Sequence, residues 1–305
     1  MKSGLVLVHK QSGMTSFDCV RNLKRLWKRT DIGHGGTLDK FATGVLPILM
    51  GEGLKLARFF LDSYPNLATH WKTYEGVFEL GISTSTGDPE GEATEKADVP
   101  ALTESKITDA MSEFVGSPYL QTPPQYSAKK VGGERASDLA RQGKVSELKP
   151  VPVLLKRFHC LKFEGNRIYF EVECSKGTYV RVLAQDLAEK LGTKAHVAEL
   201  RRTSVGNFAL DRALTLEQIA ALDPDQAILG LEVATSFLEP FPLIGSELEQ
   251  LKVGRTMNLS TRLANAGLKP SVYCAKTYSN GREVPVALLE LDLEKNAKFL
   301  RAFVV

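Results

Sequence analysis

The feature that most restricts the fold is the pair of β-rich runs Val151–Phe163 and Arg167–Cys174, joined by Gly165-Asn166. So short a turn ties its flanking strands antiparallel. A doubly wound parallel sheet is therefore a poor fit. Lys72–Thr84 supplies a further strand, with Tyr74, Phe78, Leu80 and Ile82 on one face and Glu75 and Glu79 on the other. That period of two marks a half-buried strand, which Gly87-Asp88-Pro89 is expected to end. Leu5–Val8 reads as a short buried strand, and Val45–Met50 is a second apolar run. Strand signals outnumber helix signals and do not alternate regularly with them. The expected class is α+β, with a mixed, largely antiparallel sheet flanked by helices.

Thr15-Ser16-Phe17-Asp18 has the form of a capping box with Asp in the place of Glu, and it opens a helix. Val20, Leu23 and Trp27 give that helix an apolar stripe, and Arg21, Lys24, Arg25 and Lys28 a basic face. Further helices are expected from about Leu54 to Leu61, after Pro100 with Ile107, Met111 and Phe114 inward, over Glu134–Arg141, and from a Thr178 cap to Leu191. Gln121-Thr122-Pro123-Pro124 reads as a rigid loop, and Lys129–Gly133 as a strand end plus turn. After residue 236 the texture changes. Leu238-Glu239-Pro240-Phe241-Pro242 looks like a linker, followed by strand-like Ser271–Ala275, Val284–Leu291 and Phe299–Val305 with a turn at Ser279-Asn280-Gly281. With 305 residues, two domains are expected: residues 1–236, and a small β-rich unit over 237–305.

Charge is informative only through its distribution, since the net value is +3. Residues 1–60 hold ten Lys/Arg against four acids, residues 126–160 eight against three, and residues 81–113 two against eight. Basic patches beside an acidic flank suit a polyanion docking on one side, or are simply solvated faces. The four cysteines form no CxxC pair and have no His at zinc spacing, so no metal site and a reduced, cytoplasmic setting are expected. The apolar run near the N-terminus is too short for a signal peptide, and no stretch approaches a membrane span.

Three segments offer chemistry. Gly33-His34-Gly35-Gly36-Thr37-Leu38-Asp39-Lys40-Phe41-Ala42-Thr43-Gly44 is glycine-rich but matches neither a phosphate loop nor a dinucleotide fingerprint. Its Asp39 is either a turn-former or a reactive carboxylate. In Lys176-Gly177-Thr178-Tyr179-Val180-Arg181, Arg181 is a surface side chain or a bidentate partner for a carboxylate. In Lys72-Thr73-Tyr74-Glu75-Gly76, Tyr74 is a core residue or a ring at a pocket mouth able to stack on a base.

Taken together, GHGGTLDKFATGVLP, KTYEG, PPQYSAKKVGGERA, SKGTYVRVLAQDLA and ELRRTSVG, in that order across residues 4 to about 215, resemble the TruB-type bacterial tRNA pseudouridine-55 synthases. The C-terminal stretch is similar, more weakly, to the PUA-type RNA-binding domain that often ends these enzymes. The resemblance implies the pseudouridine synthase fold and isomerisation of one uridine in the T-loop of tRNA. It implies no metal or organic cofactor, tRNA as partner, no membrane and no obligate protein partner, and it fits a monomer. It also implies that Asp39 is the catalytic aspartate, that Tyr74 packs on the target base, and that Arg181 pairs with the aspartate. His34 would fill the space left by an everted base, and Lys10, Tyr179 and Leu200 would line the pocket. Two positions depart from the family pattern, which has Pro where Gln11 and Lys40 stand here.

The reaction breaks the N1–C1′ bond of uridine and joins C5 to C1′, so no redox partner is required. A carboxylate can serve as nucleophile or by stabilising positive charge on the ribose, and the sequence does not choose between these. Two other classes stay open. An RNA-binding or folding factor would bind tRNA regardless of Asp39 and isomerise nothing. A carboxylate-based nucleoside hydrolase would release free uracil.

Overall fold

The computed structural model describes residues 2–127, 129–144, 147–279 and 281–303. Asn280 of the expected turn, Ala128 of the PPQYSAKKVGGERA motif and the last two residues of the expected final strand lie outside the described residues. A large mixed sheet forms the centre. Its strands are β1 (Gly4–Lys10), β2 (Ile32–His34), β3 (Thr43–Met50), β4 (Trp71–Leu80), β5 (Leu155–Glu164), β6 (Arg167–Ser175) and β7 (Ala195–Val205), in the order β5-β6-β4-β7-β3-β1, with β2 paired to β3. Every pairing among these is antiparallel except β7 with β3, where Arg201 meets Thr43 and Arg202 meets Gly44. The hairpin at Gly165-Asn166 forms as expected, with Glu164 opposite Arg167.

The parallel contact depends on Gly44. Its φ is +113°, and a Cβ there would sit 2.2 Å from the carbonyl oxygen of Arg202. Only glycine lets β3 start so close to β7, and this fixes the exit of the Gly33–Gly44 loop against the middle of the sheet.

Three helices position the site. Helix α1 (Ser16–Trp27) begins with the expected box: the Thr15 hydroxyl accepts from Asp18 N–H, and the Asp18 carboxylate accepts from Thr15 N–H. Its Val20, Leu23 and Trp27 pack on Val6, Val8, Leu46 and Ile48 of β1 and β3. Helices α2 (Glu104–Ser112) and α3 (Val180–Lys190) cover the β4–β7 side, where Ile107, Met111, Leu183 and Leu187 meet Phe78, Phe158 and Phe170. Phe78 and Phe170 stack at 3.9 Å between ring centroids.

Several expectations are corrected. The strand from Lys72 ends at Leu80, because Gly81 adopts φ +92° and turns the chain before Ile82. The segment before Leu61 is a 3₁₀ turn (Gly51–Leu56) and then a short α-helix (Ala57–Leu61). Glu134 and Arg135 pair back onto Lys130 and Val131, so that helix starts only at Ala136. Val151–Val153 is a separate strand on Tyr119–Gln121, ahead of β5. Thr178 does not cap α3: its hydroxyl donates to the Ser175 carbonyl, and Tyr179 occupies the N-cap.

The expected linker is also absent. Glu239–Pro242 is strand β8, parallel to β9 (Ser271–Ser279), which continues antiparallel to β10 (Arg282–Leu291) and β11 (Ala297–Ala302). Phe237 and Leu238, just ahead of β8, are buried in a core that joins Leu5, Leu7 and Phe60 to Val272, Cys274 and Leu288. The C-terminal sheet is therefore packed on the opposite face of β1 and β3 from α1. Phe237 meets Phe60 edge-on at 5.2 Å and lies within 6.5 Å of Phe59 and Phe208. Removing a ring so enclosed costs about 3–5 kcal/mol. Phe237→Ala should lower the thermal midpoint of the whole chain in one transition. An unchanged midpoint would mean that the C-terminal sheet does not support the rest.

Candidate active site

The Gly33–Gly44 loop is held almost residue by residue. Thr37 offers its carbonyl to Nη1 of Arg202 at 3.2 Å, while Nε of Arg202 donates to the Val45 carbonyl at 2.9 Å. Ser16, the first residue of α1, accepts from Leu38 N–H at 2.9 Å and returns a bond to the Leu38 carbonyl at 3.3 Å. Lys40 offers its carbonyl to Lys10 Nζ at 3.2 Å and to Gly13 N–H at 2.9 Å. Lys10 is wholly buried and also donates to the carbonyls of Met14 and Gln11, at 2.7 and 3.1 Å. It thus fastens the loop from beneath rather than facing an open pocket. Burial pushes its ammonium down to about 8.

Between these anchors Asp39 projects toward Arg181, in the first turn of α3. Nε of Arg181 lies 2.9 Å from Oδ2, and Nη2 donates to Oδ1 at 3.2 Å. Arg181 is 4% exposed, whereas the Asp39 side chain retains 36% of its surface. A held guanidinium thus presents a carboxylate that is still reachable. Other Arg181 donors go to the carbonyls of Thr86 at 2.8 Å and Tyr126 at 2.9 Å. Asp39 sits deep in protein despite its open edge. Burial raises its pKa above the ordinary carboxylate range, Arg181 opposes that rise, and Asp88 and Glu90 add to it.

Of the other expected residues, Tyr74 and Tyr179 lie close enough for the Asp39 charge to act on them. Tyr74 is buried, in one core cluster with Leu38 and Leu200. Burial raises its phenol pKa, and the nearby Arg202 opposes the rise. Tyr179 precedes Arg181 at the mouth of α3; burial raises its phenol pKa, and Arg181 opposes the rise while Asp39 adds to it. Leu200, Phe41, Thr43, Pro89, Gly76 and Phe170 line a cleft of about 600 Å³ that opens beside the loop. His34 lies not in the loop proper but in β2, opposite Ile48, and its Nδ1 accepts from Gly36 N–H at 3.3 Å.

Three contributors were not singled out in the sequence. Asp88 is 4% exposed, with Oδ2 3.6 Å from Nη1 of Arg181, so the guanidinium lies between two carboxylates. Gln121 is 1% exposed; its Oε1 accepts from Tyr179 N–H at 2.7 Å and its Nε2 donates to the Tyr179 carbonyl at 3.2 Å. That clamp fixes the start of α3 and so the root of Arg181. Arg202 is the third. Their only signal was a polar residue inside a turn or strand, which is too common to single out. Among the described residues, no group of three or more His, Cys, Asp or Glu is arranged to hold a metal, and no helix is long and apolar enough to cross a membrane.

The sequence matches the family model of the TruB family pseudouridylate synthase N-terminal domain over residues 24–180, and that of the tRNA pseudouridylate synthase B C-terminal domain over residues 181–234. A tRNA pseudouridine synthase B from Dechloromonas aromatica (strain RCB) is 37% identical over 286 residues, 93% of this chain and 90% of its own length. One from Solibacter usitatus (strain Ellin6076) is 40% identical over 242 residues, covering 79% and 80%. The crystal structure of a Cbf5–Nop10–Gar1 complex superposes with a TM-score of 0.69 at 22% identity, over 99% of this chain and 85% of that one, which is a likeness of fold.

Proposed function

Because the chain belongs to the TruB family of pseudouridylate synthases, we propose that it isomerises uridine 55 in the T-loop of tRNA with Asp39 as the group that acts on the everted nucleoside. It is an isomerase of a tRNA uridine. The observation that carries the reading for Asp39 is that a buried Arg181 meets its partly exposed carboxylate at both oxygens, at 2.9 and 3.2 Å. That hold keeps the carboxylate charged against the cost of burial and leaves its free edge exposed. There it serves either as nucleophile toward the nucleoside or as a fixed negative charge beside the ribose.

Extruding a uridine costs a few kcal/mol. Stacking on Tyr74, at about 1–3 kcal/mol, offsets much of that cost, and His34 fills the space the base leaves. Tyr179 and Leu200 wall the pocket, and Lys10 positions the loop. Residues 1–236 form the catalytic unit, and residues 237–305 a PUA-like unit that adds RNA contact. The protein works as a monomer on the T-stem-loop in the cytoplasm.

The test is to incubate unmodified tRNA transcript with the protein and map pseudouridine by chemical modification and primer extension. A single new pseudouridine at position 55 is expected; none at that position refutes the reading. Tyr74→Leu keeps apolar bulk but loses stacking, so kcat/KM should fall about tenfold or more while the thermal midpoint changes little. Unchanged kinetics would place Tyr74 away from the base.

A further inference from the structure

One cation near the site has no part in the account so far. Lys72 lies two residues before Tyr74 on β4, so the two side chains leave the same face of the strand. A Cβ placed on Gly36 would be 3.8 Å from Lys72 Nζ and 3.9 Å from Nη1 of Arg202. Both cationic heads thus converge on the bare backbone of Gly36, three residues ahead of Asp39. Gly36 is buried and has φ +146°, a conformation side chains rarely adopt, so both heads approach its backbone with no side chain between them.

Among the described residues, no carboxylate pairs with either charge. The groups acting on Lys72 are Arg202, Lys176 and the Cys174 thiol, with no carboxylate among them. Arg202 is wholly buried; its Nε and Nη1 bond to carbonyls, its guanidinium also acts on the Tyr74 hydroxyl, and no carboxylate pairs with it among the described residues. Arg202 repels the Lys72 charge, and burial leaves both poorly solvated. Burial and the neighbouring cations lower the Lys72 ammonium to about 7, so an added anion is what would hold it charged at neutral pH. Lys72 lies deep in the protein, yet part of its surface stays exposed.

The substrate class supplies anions of one kind, the phosphates of its backbone. We infer that Lys72 binds the RNA phosphate flanking the everted uridine, at its partly exposed head beside Gly36, with Arg202 contributing its charge from beneath. This rests on the reading that an RNA strand passes Asp39. It makes Lys72 a substrate-binding residue that fixes the register of the strand, while Tyr74, on the same strand face, receives the base.

The experiment pairs protein and RNA changes. Wild type, Lys72→Met and Lys72→Arg are titrated with T-arm stem-loop RNA, either unmodified or carrying one neutral methylphosphonate at each linkage flanking uridine 55. Lys72→Met should weaken binding of unmodified RNA about five- to tenfold and reduce the slope of log affinity against log salt by about one, with Lys72→Arg close to wild type. One of the two methylphosphonates should weaken wild type by a similar factor and Lys72→Met by less than about twofold, because the partner is already gone. Unchanged affinity and slope in Lys72→Met, or losses that multiply at both linkages, would overturn the inference. If Lys72→Met does not fold, the wild-type series decides alone: no sensitivity at either linkage overturns it. Pseudouridine formation by wild type in the same samples separates the two readings. Turnover with an indifferent Lys72 refutes only the phosphate site; no turnover refutes the proposed function.

Discussion

Asp39→Asn should reduce pseudouridine formation at position 55 by at least about 10³-fold while leaving tRNA affinity within a few-fold of wild type. The substitution is nearly isosteric, so the anchors on Thr37, Leu38 and Lys40 are untouched and the loop keeps its place. What is lost is the negative charge and the nucleophilic oxygen. Either loss removes an interaction that strengthens as the glycosidic bond breaks, and such losses fall on kcat rather than KM. Loss of one preorganised electrostatic group alone costs about 10²–10³, and loss of a nucleophile costs more. Binding should persist because phosphate recognition is spread over many Lys and Arg side chains that the substitution leaves in place. Nucleoside analysis of the tRNA gives the rate, and filter binding gives the affinity. Turnover within tenfold of wild type would remove Asp39 from the chemistry.

Arg181→Lys should cost about 10²–10³ in kcat and lower the thermal midpoint as well. Lysine keeps the charge but not the fork that reaches Asp39 at two points while also serving Thr86 and Tyr126. Arg181 lies between Asp39 and Asp88, so weakening it leaves two carboxylates facing each other in a poorly hydrated space. Because lysine keeps the charge and Asp39 keeps 36% of its surface, the loss should fall below the roughly 3–5 kcal/mol of a fully buried pair stripped of one partner. Part of that cost appears in stability and part in turnover. The Asp39 pKa is already raised by burial, and Arg181 is the group that holds it down. In the variant the carboxylate should therefore protonate at higher pH, and the acid limb of the pH–rate profile should move upward. A variant with normal kcat and an unmoved acid limb would show that the pairing does not serve catalysis.

What was legible in the sequence was local. The Thr15–Asp18 box, the Gly165-Asn166 hairpin and the alternation from Tyr74 to Leu80 involve residues within a few positions of each other, and each forms. The Gly33–Gly44 loop was legible as a special backbone, and its place in a run of five motifs marked Asp39 and Arg181, which the fold brings together from 142 positions apart. The parts that escaped are non-local. Asp88 looked like a strand breaker because its partner lies on α3, and Gln121 looked like a loop residue because its amide closes on Tyr179, 58 positions away. Arg202 reaches Thr37 across 165 positions. Strand β8 was hidden by Pro240 and Pro242, which read as a linker; an edge strand tolerates prolines, and β8 is paired only on its β9 side. His34 was assigned to the loop because a strand of three residues has no period to detect.

The most direct measurement uses tRNA carrying tritium on C5 of uridine 55 alone, under single-turnover conditions, with wild type and Asp39→Asn side by side. Forming the C5–C1′ bond expels that hydrogen to water. Wild type should release one equivalent of tritium per tRNA with no free uracil, and Asp39→Asn essentially none over the same period. Equal release by both proteins would contradict a catalytic Asp39, and uracil in place of tritium would make the chain a hydrolase.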